Sequence, residues 1–268
     1  MWILRLLWQS IQHWIARSAN LYAAALAYFA PFALVPLLAL AIYLVGLLVG
    51  HDAFAVALES WGMQVAPDLT LLIQVGIENF ELQSTFWGVP FIGALFVLWV
   101  IATTLSYITA GLHQLWFVSE QGVWRRVLVL FRALGFYALL IGYLTVLVFV
   151  TTYGGQLFGS VWWGQLTVSL LLFLLTISFF TASFWVLSWR PPSLLARLVG
   201  GIVIGAGILM LRYIFSWWLA SIQAVTLFGA AGALIGVLVL VYLLAVIIFY
   251  GAAVAYVFDA RSYARELP

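Results

Sequence analysis

Long apolar runs separated by short polar breaks constrain this chain more than any other feature. Six of them, at 20–50, 86–109, 127–151, 165–187, 194–220 and 229–257, match or exceed the roughly 20 residues a helix needs to cross hydrocarbon. A backbone in lipid must satisfy its own N–H and C=O groups, so such runs are helices unless they close into a barrel. Only 7% of the residues are charged and 67% are hydrophobic. A soluble domain carries about 25% charged residues, so no water-soluble core fits this composition. The expected fold class is an all-α integral membrane protein, a single six-helix membrane domain over residues 1–268.

Outside the spans, residues 2–17 alternate at helical spacing. Trp2, Ile3, Leu6, Leu7, Ile11, Trp14 and Ile15 form one face, and Arg5, Gln9, Gln12, His13 and Arg17 the other. This predicts an interfacial amphipathic helix with its tryptophans at headgroup depth. Polar residues interrupt its apolar run and no small-residue cleavage site follows, so it is not read as a secretory signal. The segment 51–85 holds Asp52, Glu59, Asp68, Glu78 and Glu81 and no arginine. Pro67-Asp68 predicts a turn between two short amphipathic helices there. Tyr153–Gly164 is uncharged and glycine-rich and is expected to be a connection.

The signs of charge are segregated. Lysine and cysteine are absent. Arg5, Arg17, Arg125, Arg126, Arg190, Arg197, Arg261 and Arg265 flank one set of loop ends, with Arg132 one turn inside, while the opposite loops have no basic residue. The positive-inside rule therefore puts both termini in the cytoplasm and 51–85 outside, as in a multi-pass bacterial inner (plasma) membrane protein.

Arg212 breaks this pattern. It lies in the fifth span, about five residues or roughly 7–8 Å outside the midplane. Steps of four, three and four residues back from it reach Ile208, Gly205 and Gly201, and Ser216 continues the stripe. Small residues on one stripe mark a close helix approach, and a charge there is expected to face protein or trapped water. It can be a structural group, snorkelling outward or pairing with Glu78 or Glu81, or it can be an anion site. Thr103, Tyr107, Ala110 and Gln114 align on the second span, and Ser169, Thr176 and Ser183 on the fourth. They are candidates to line a polar path, although helix-to-helix hydrogen bonds are the commoner use of such residues. Pro31 and Pro36 mark a kink or hinge in the over-long first span. Gly201/Gly205 and Gly232/Gly236 read as packing notches, and Gly135 and Gly142 share a face of the third span. His113 has no second ligand nearby and reads as structural.

Enzymatic readings fare poorly. A metal-dependent nuclease needs carboxylates or histidines converging on one aqueous face. Glu120, Asp259, Glu266, His13 and His113 are scattered along the chain. Neither a nucleophile triad, a P-loop nor a basic nucleic-acid surface is visible. No enzyme activity, cofactor or metal is expected. The expected partners are membrane lipids and not nucleic acid, with a homo-oligomer through a glycine stripe left open.

Three stretches together resemble the BrkB/YihY family of bacterial inner-membrane proteins. They are LYAAALAYFAPFALVPLL (21–38), the Leu-Trp at 98–99 followed by GLHQLWFV (111–118), and the run from RLVGG (197–201) through LFGAAGAL (227–234) to VYLLAVIIFYGAAVA (241–255). The resemblance implies six helices with both termini cytoplasmic, and some members are linked to envelope lipid export. The family once carried a ribonuclease BN label. This chain departs from the pattern at Ala33, His113 and Val241, where serine, asparagine and tryptophan are usual. Ala253 replaces an acidic residue that could have carried protons. The functional expectation is a transporter or flippase-like handler of an anionic lipid or other amphiphile. Arg212, Ser216, Thr103, Tyr107, Ser169 and Thr176 would line its cavity. The alternative is a non-transporting envelope scaffold acting through 51–85.

Overall fold

The computed structural model describes residues 2–29, 32, 88–117, 123–158, 162–188, 191–221 and 224–266. These form seven helices and, among the described residues, no strand: α1 (Trp2–Ala16), α2 (Ala19–Phe29), α3 (Gly88–Leu115), α4 (Val123–Phe158), α5 (Trp162–Leu187), α6 (Leu194–Ser221) and α7 (Ala224–Glu266). Four stretches of these helices, Leu134–Thr151, Leu166–Leu187, Leu194–Phe215 and Ile235–Arg261, are long and apolar enough to cross a membrane. Pro31, Pro36 and the segment 51–85 lie outside the described residues.

Two expectations need correcting. The connection placed at Tyr153–Gly164 is mostly helix, since α4 runs on to Phe158 and α5 starts at Trp162. Nothing charged interrupts the run, and Gly154 lies where a Cβ would come within 2.8 Å of Val168, so the glycine lets the ends of α4 and α5 close up. The last helix is also longer than its apolar run. At 43 residues α7 extends about 65 Å and carries Asp259 and Arg261 past any hydrocarbon boundary.

The helices pack in chain order, α4 on α5, α5 on α6 and α6 on α7, with α1 and α3 both resting on α7. Glycine sets the closest approach. A Cβ at Gly200 would fall 2.7 Å from the Gly251 carbonyl oxygen and 3.0 Å from the Ala255 Cβ. Backbones of α6 and α7 thus touch without side chains between them. From Gly251 to Ala255 every residue of α7 is buried, so this stretch is a pillar enclosed on all sides. Around it gather Ala19, Ala23, Leu112, Leu115, Trp116, Phe184, Ile204 and Phe249. By contrast α4, which packs on α5 alone among the stronger contacts, presents Phe131, Leu134, Val146 and Phe149 outward. That is the expected surface for a helix bathed in lipid.

The chain ends lie side by side. Trp2 meets Phe258 edge-on at 6.1 Å between ring centres. The Tyr250 hydroxyl donates to the Leu7 carbonyl at 3.2 Å, and the Arg261 guanidinium donates to Gln9. The same end of the bundle holds the end of α3. His13 Nε2–H donates to the Leu115 carbonyl at 2.9 Å, its ring stacked on Tyr256 at 4.7 Å. Arg17 lies 3.4 Å over the ring of Phe117. Phe117 itself has φ of 53°. An aromatic residue in the left-handed region is strained by about 1–2 kcal/mol, and surrounding contacts must hold it there.

A seam between two helices as the candidate functional site

Arg212 sits on the α6 stripe that faces α5. The register follows from the two glycines before it. A Cβ at Gly201 would lie 3.0 Å from both the Ile177 carbonyl and the Thr181 hydroxyl, and one at Gly205 would lie 2.9 Å from the Phe173 ring. The helices run antiparallel, so continuing outward sets Ile208 level with Leu170 and Arg212 level with Leu166. Leu166 and Leu170 continue the stripe of Phe173, Ile177 and Thr181, yet they are 52% and 58% exposed. Arg212 is exposed as well. The seam is closed at the glycines and open at the arginine.

The described helices bury the glycines of this stripe and leave the guanidinium exposed. Gly201 and Gly205 do meet a helix closely. One turn farther out α5 supplies leucines that no longer bury against α6, so the described helices leave Arg212 at an open mouth. Tyr213 and Trp217, neighbours on α6, are also exposed. Glu78 and Glu81, the carboxylates considered as partners, lie outside the described residues. So does the side chain of Ser216.

The other residues proposed for the site fall into separate neighbourhoods. Ser169 is exposed on α5, near the level of Ile208 and about a turn short of Arg212. Thr176 donates to its own helix at the Leu172 carbonyl, 2.8 Å away, and meets the Tyr143 hydroxyl of α4 at 3.3 Å. Ser183, the third of that row, is buried and donates to the Phe179 carbonyl at 2.7 Å. The row therefore passes from exposed to buried along α5. Thr103 donates to the Trp99 carbonyl at 2.7 Å, and Tyr107 stacks on Phe29 at 5.3 Å. These two belong to the α2–α3 side, away from the α5–α6 seam. Among the described residues a Cβ at Gly236 would meet nothing within 4 Å, although Gly236 is buried, and the surroundings of Gly232 lie outside the described residues. His113 is buried in α3.

Sequence reasoning missed the role of Trp116 in the core. Trp116 donates its indole N–H to the Ala252 carbonyl at 3.0 Å and packs edge-on against Phe184 at 5.4 Å. It closes the junction of α3, α5 and α7, next to the strained Phe117. The available signal was a tryptophan at the end of an apolar run, which reads equally well as an interface anchor. Burial keeps His13 below the ordinary imidazole range; the Leu115 carbonyl pulls it up and Arg17 pushes it down. At neutral pH the ring is therefore uncharged, which suits its stacking on Tyr256.

Four long apolar helices, a glycine-welded centre and lipid-like outer faces define a polytopic helical membrane protein. Residues 10–268 match the family model described as virulence factor BrkB, and the chain belongs to that family. Comparison with curated proteins and with solved structures finds no match.

Proposed function

We propose that this protein is an inner-membrane carrier for an anionic lipid or similar amphiphile, and that Arg212 holds the anionic group at the open mouth of the α5–α6 seam. The observation that carries the reading is the change along one stripe, from backbone contact at Gly201 and Gly205 to exposure at Arg212, Leu166 and Leu170. A seam of that shape is open on its lipid side. It can admit an acyl chain between leucines while a guanidinium, with five donors in a fixed fork, meets the phosphate. No proton-carrying acid is required for movement down a gradient. Ala253 fits this: it stands where an acidic residue is usual in the family it resembles, and it is fully buried in the α7 pillar.

Six crossings with both termini cytoplasmic complete the proposal. Chain ends that lie together require an even number of crossings. Four helices carry apolar stretches long enough to cross, and α3 and the first span, 20–50, are added to make six. The arginines at the ends of α1, α4, α6 and α7 support a cytoplasmic assignment for that side.

The test is lipid movement in vesicles reconstituted with the purified protein, followed by quenching of fluorescent phosphatidylglycerol and phosphatidylcholine. A charge-assisted hydrogen bond contributes about 1.5–3 kcal/mol, so Arg212→Gln should slow phosphatidylglycerol by about tenfold or more. Arg212→Lys should retain part of the rate, and phosphatidylcholine should change little. Equal rates for wild type and both variants would remove Arg212 from the mechanism.

A further inference from the structure

Helix α1 has three faces, where its sequence pattern suggests two. Leu6 and Ser10 are buried and His13 is half-buried on the face turned to α7 and the end of α3. Arg5, Gln9 and Gln12 form an exposed polar edge. On the remaining third, Leu4, Trp8, Ile11 and Ile15 follow at steps of four, three and four and are 72%, 61%, 37% and 62% exposed. Leu6, grouped by pattern with the lipid-facing residues, is on the protein side, and Trp8, absent from that grouping, leads the exposed stripe. Single exposed apolar residues need no explanation, but an unbroken stripe about 16 Å long does.

Its occupant can be read from its borders. Past the turn at Arg17 and Ser18, Leu21 of α2 is exposed as well. Along one side runs the Arg5–Gln9–Gln12 edge, and α1 has no acidic residue. An apolar stripe bearing a tryptophan, with a cationic, acid-free border, suits the boundary between phosphate headgroups and acyl chains. Two copies meeting through this face would bring Arg5 toward its own kind with no carboxylate between them.

Away from this stripe α1 is tethered four times. Trp2 touches Phe258, Leu7 accepts from Tyr250, Gln9 accepts from Arg261, and His13 reaches across to Leu115. We infer that α1 is a lipid-seated staple: Leu4, Trp8, Ile11 and Ile15 rest on the phospholipid surface, and from that seat the helix holds the end of α3 to the end of α7. Anything that binds only the docked form stabilises it, so lipid under α1 tightens the α3–α7 junction. The inference stands apart from any role for Arg212.

The chain has no cysteine, so single cysteines can be introduced without background. Trp8→Cys, Ile15→Cys and Gln12→Cys are made in the full-length protein, spin-labelled and placed in phosphatidylethanolamine–phosphatidylglycerol nanodiscs. Collision with oxygen and with a water-soluble nickel chelate is then measured. Labels at 8 and 15 should meet oxygen and exclude nickel, with the reverse at 12. Nickel access at 8 and 15 overturns the lipid seat, and so does shielding from both reagents, which would mean a protein partner. The staple is tested by amide exchange over 112–117 in the Leu4→Ser/Ile15→Ser variant. Exchange at least tenfold faster than wild type is expected, and unchanged exchange overturns the coupling. All the altered side chains are exposed, so folding should survive.

Discussion

Substituting alanine for glycine should have opposite effects at two positions of this bundle. At Gly200 the new methyl would sit 2.7 Å from the Gly251 carbonyl oxygen. Carbon and carbonyl oxygen rest about 3.3–3.6 Å apart, so α6 and α7 must separate by more than half an ångström. The obstacle is backbone, which cannot swing aside, and the Ala255 Cβ at 3.0 Å blocks a sideways shift. Overpacking of this kind costs about 1–3 kcal/mol, and the better helix propensity of alanine returns at most about 1 kcal/mol. At Gly142 nothing lies within 4 Å of the added methyl. There the propensity gain is unopposed, so Gly142→Ala should be neutral or stabilising by up to about 1 kcal/mol. The two variants should therefore differ by about 1–3 kcal/mol in unfolding by sodium dodecyl sulfate in mixed micelles. Gly251→Ala, which presses on the fully buried Ile204 and on the Gly200 carbonyl, should behave like Gly200→Ala. Equal shifts at Gly200 and Gly142 would refute the claim that backbone contact of α6 with α7 sets the centre of the fold.

Two further outcomes are expected. Trp116→Phe keeps most of the ring but leaves the buried Ala252 carbonyl without its indole donor, so unfolding in the same assay should become easier by about 1–3 kcal/mol. Stability should also fall with acid through His13. Its pKa is lowered by burial, so the unfolded chain takes up the proton first as pH drops. The contribution is complete above about pH 6.5 and is lost as pH falls through the lower folded value. His13→Gln should flatten the stability profile between pH 7 and pH 5, and an unchanged slope would exclude this histidine as its source.

The helices were readable because lipid leaves the backbone few alternatives. Leu194–Ser221 and Trp162–Leu187 match their apolar runs closely for that reason. Where the run ends without a charge, as after Thr151, composition holds no signal for a stop and the helix continues to Phe158. Glycine pairs could be found but not ranked. The pattern singled out Gly201, Gly205, Gly232 and Gly236, whereas the tightest backbone approach uses Gly200 and Gly251, one from each of two distant segments. Periodicity along one helix carries no record of which face a second helix will choose. Helix α1 shows the same limit. A two-sided pattern cannot tell lipid from protein as the apolar neighbour, so Leu6 and Trp8 were assigned by hydropathy alone.

The two ends of the bundle differ because their stripes hold different residues. Toward the chain termini the contact stripes are glycine and alanine, from Gly200 and Gly201 on α6 to Gly251–Ala255 on α7. Backbones meet there, and a tryptophan, a histidine and an arginine lock the rim. Along α5 and α6 in the other direction the same stripes change to Leu170 and Leu166 facing Ile208 and Arg212, side chains too bulky for backbone contact. A guanidinium gains nothing by following leucine into a dry helix interface, where burying its charge would cost several kcal/mol. The seam therefore has to open at about the level where the arginine begins.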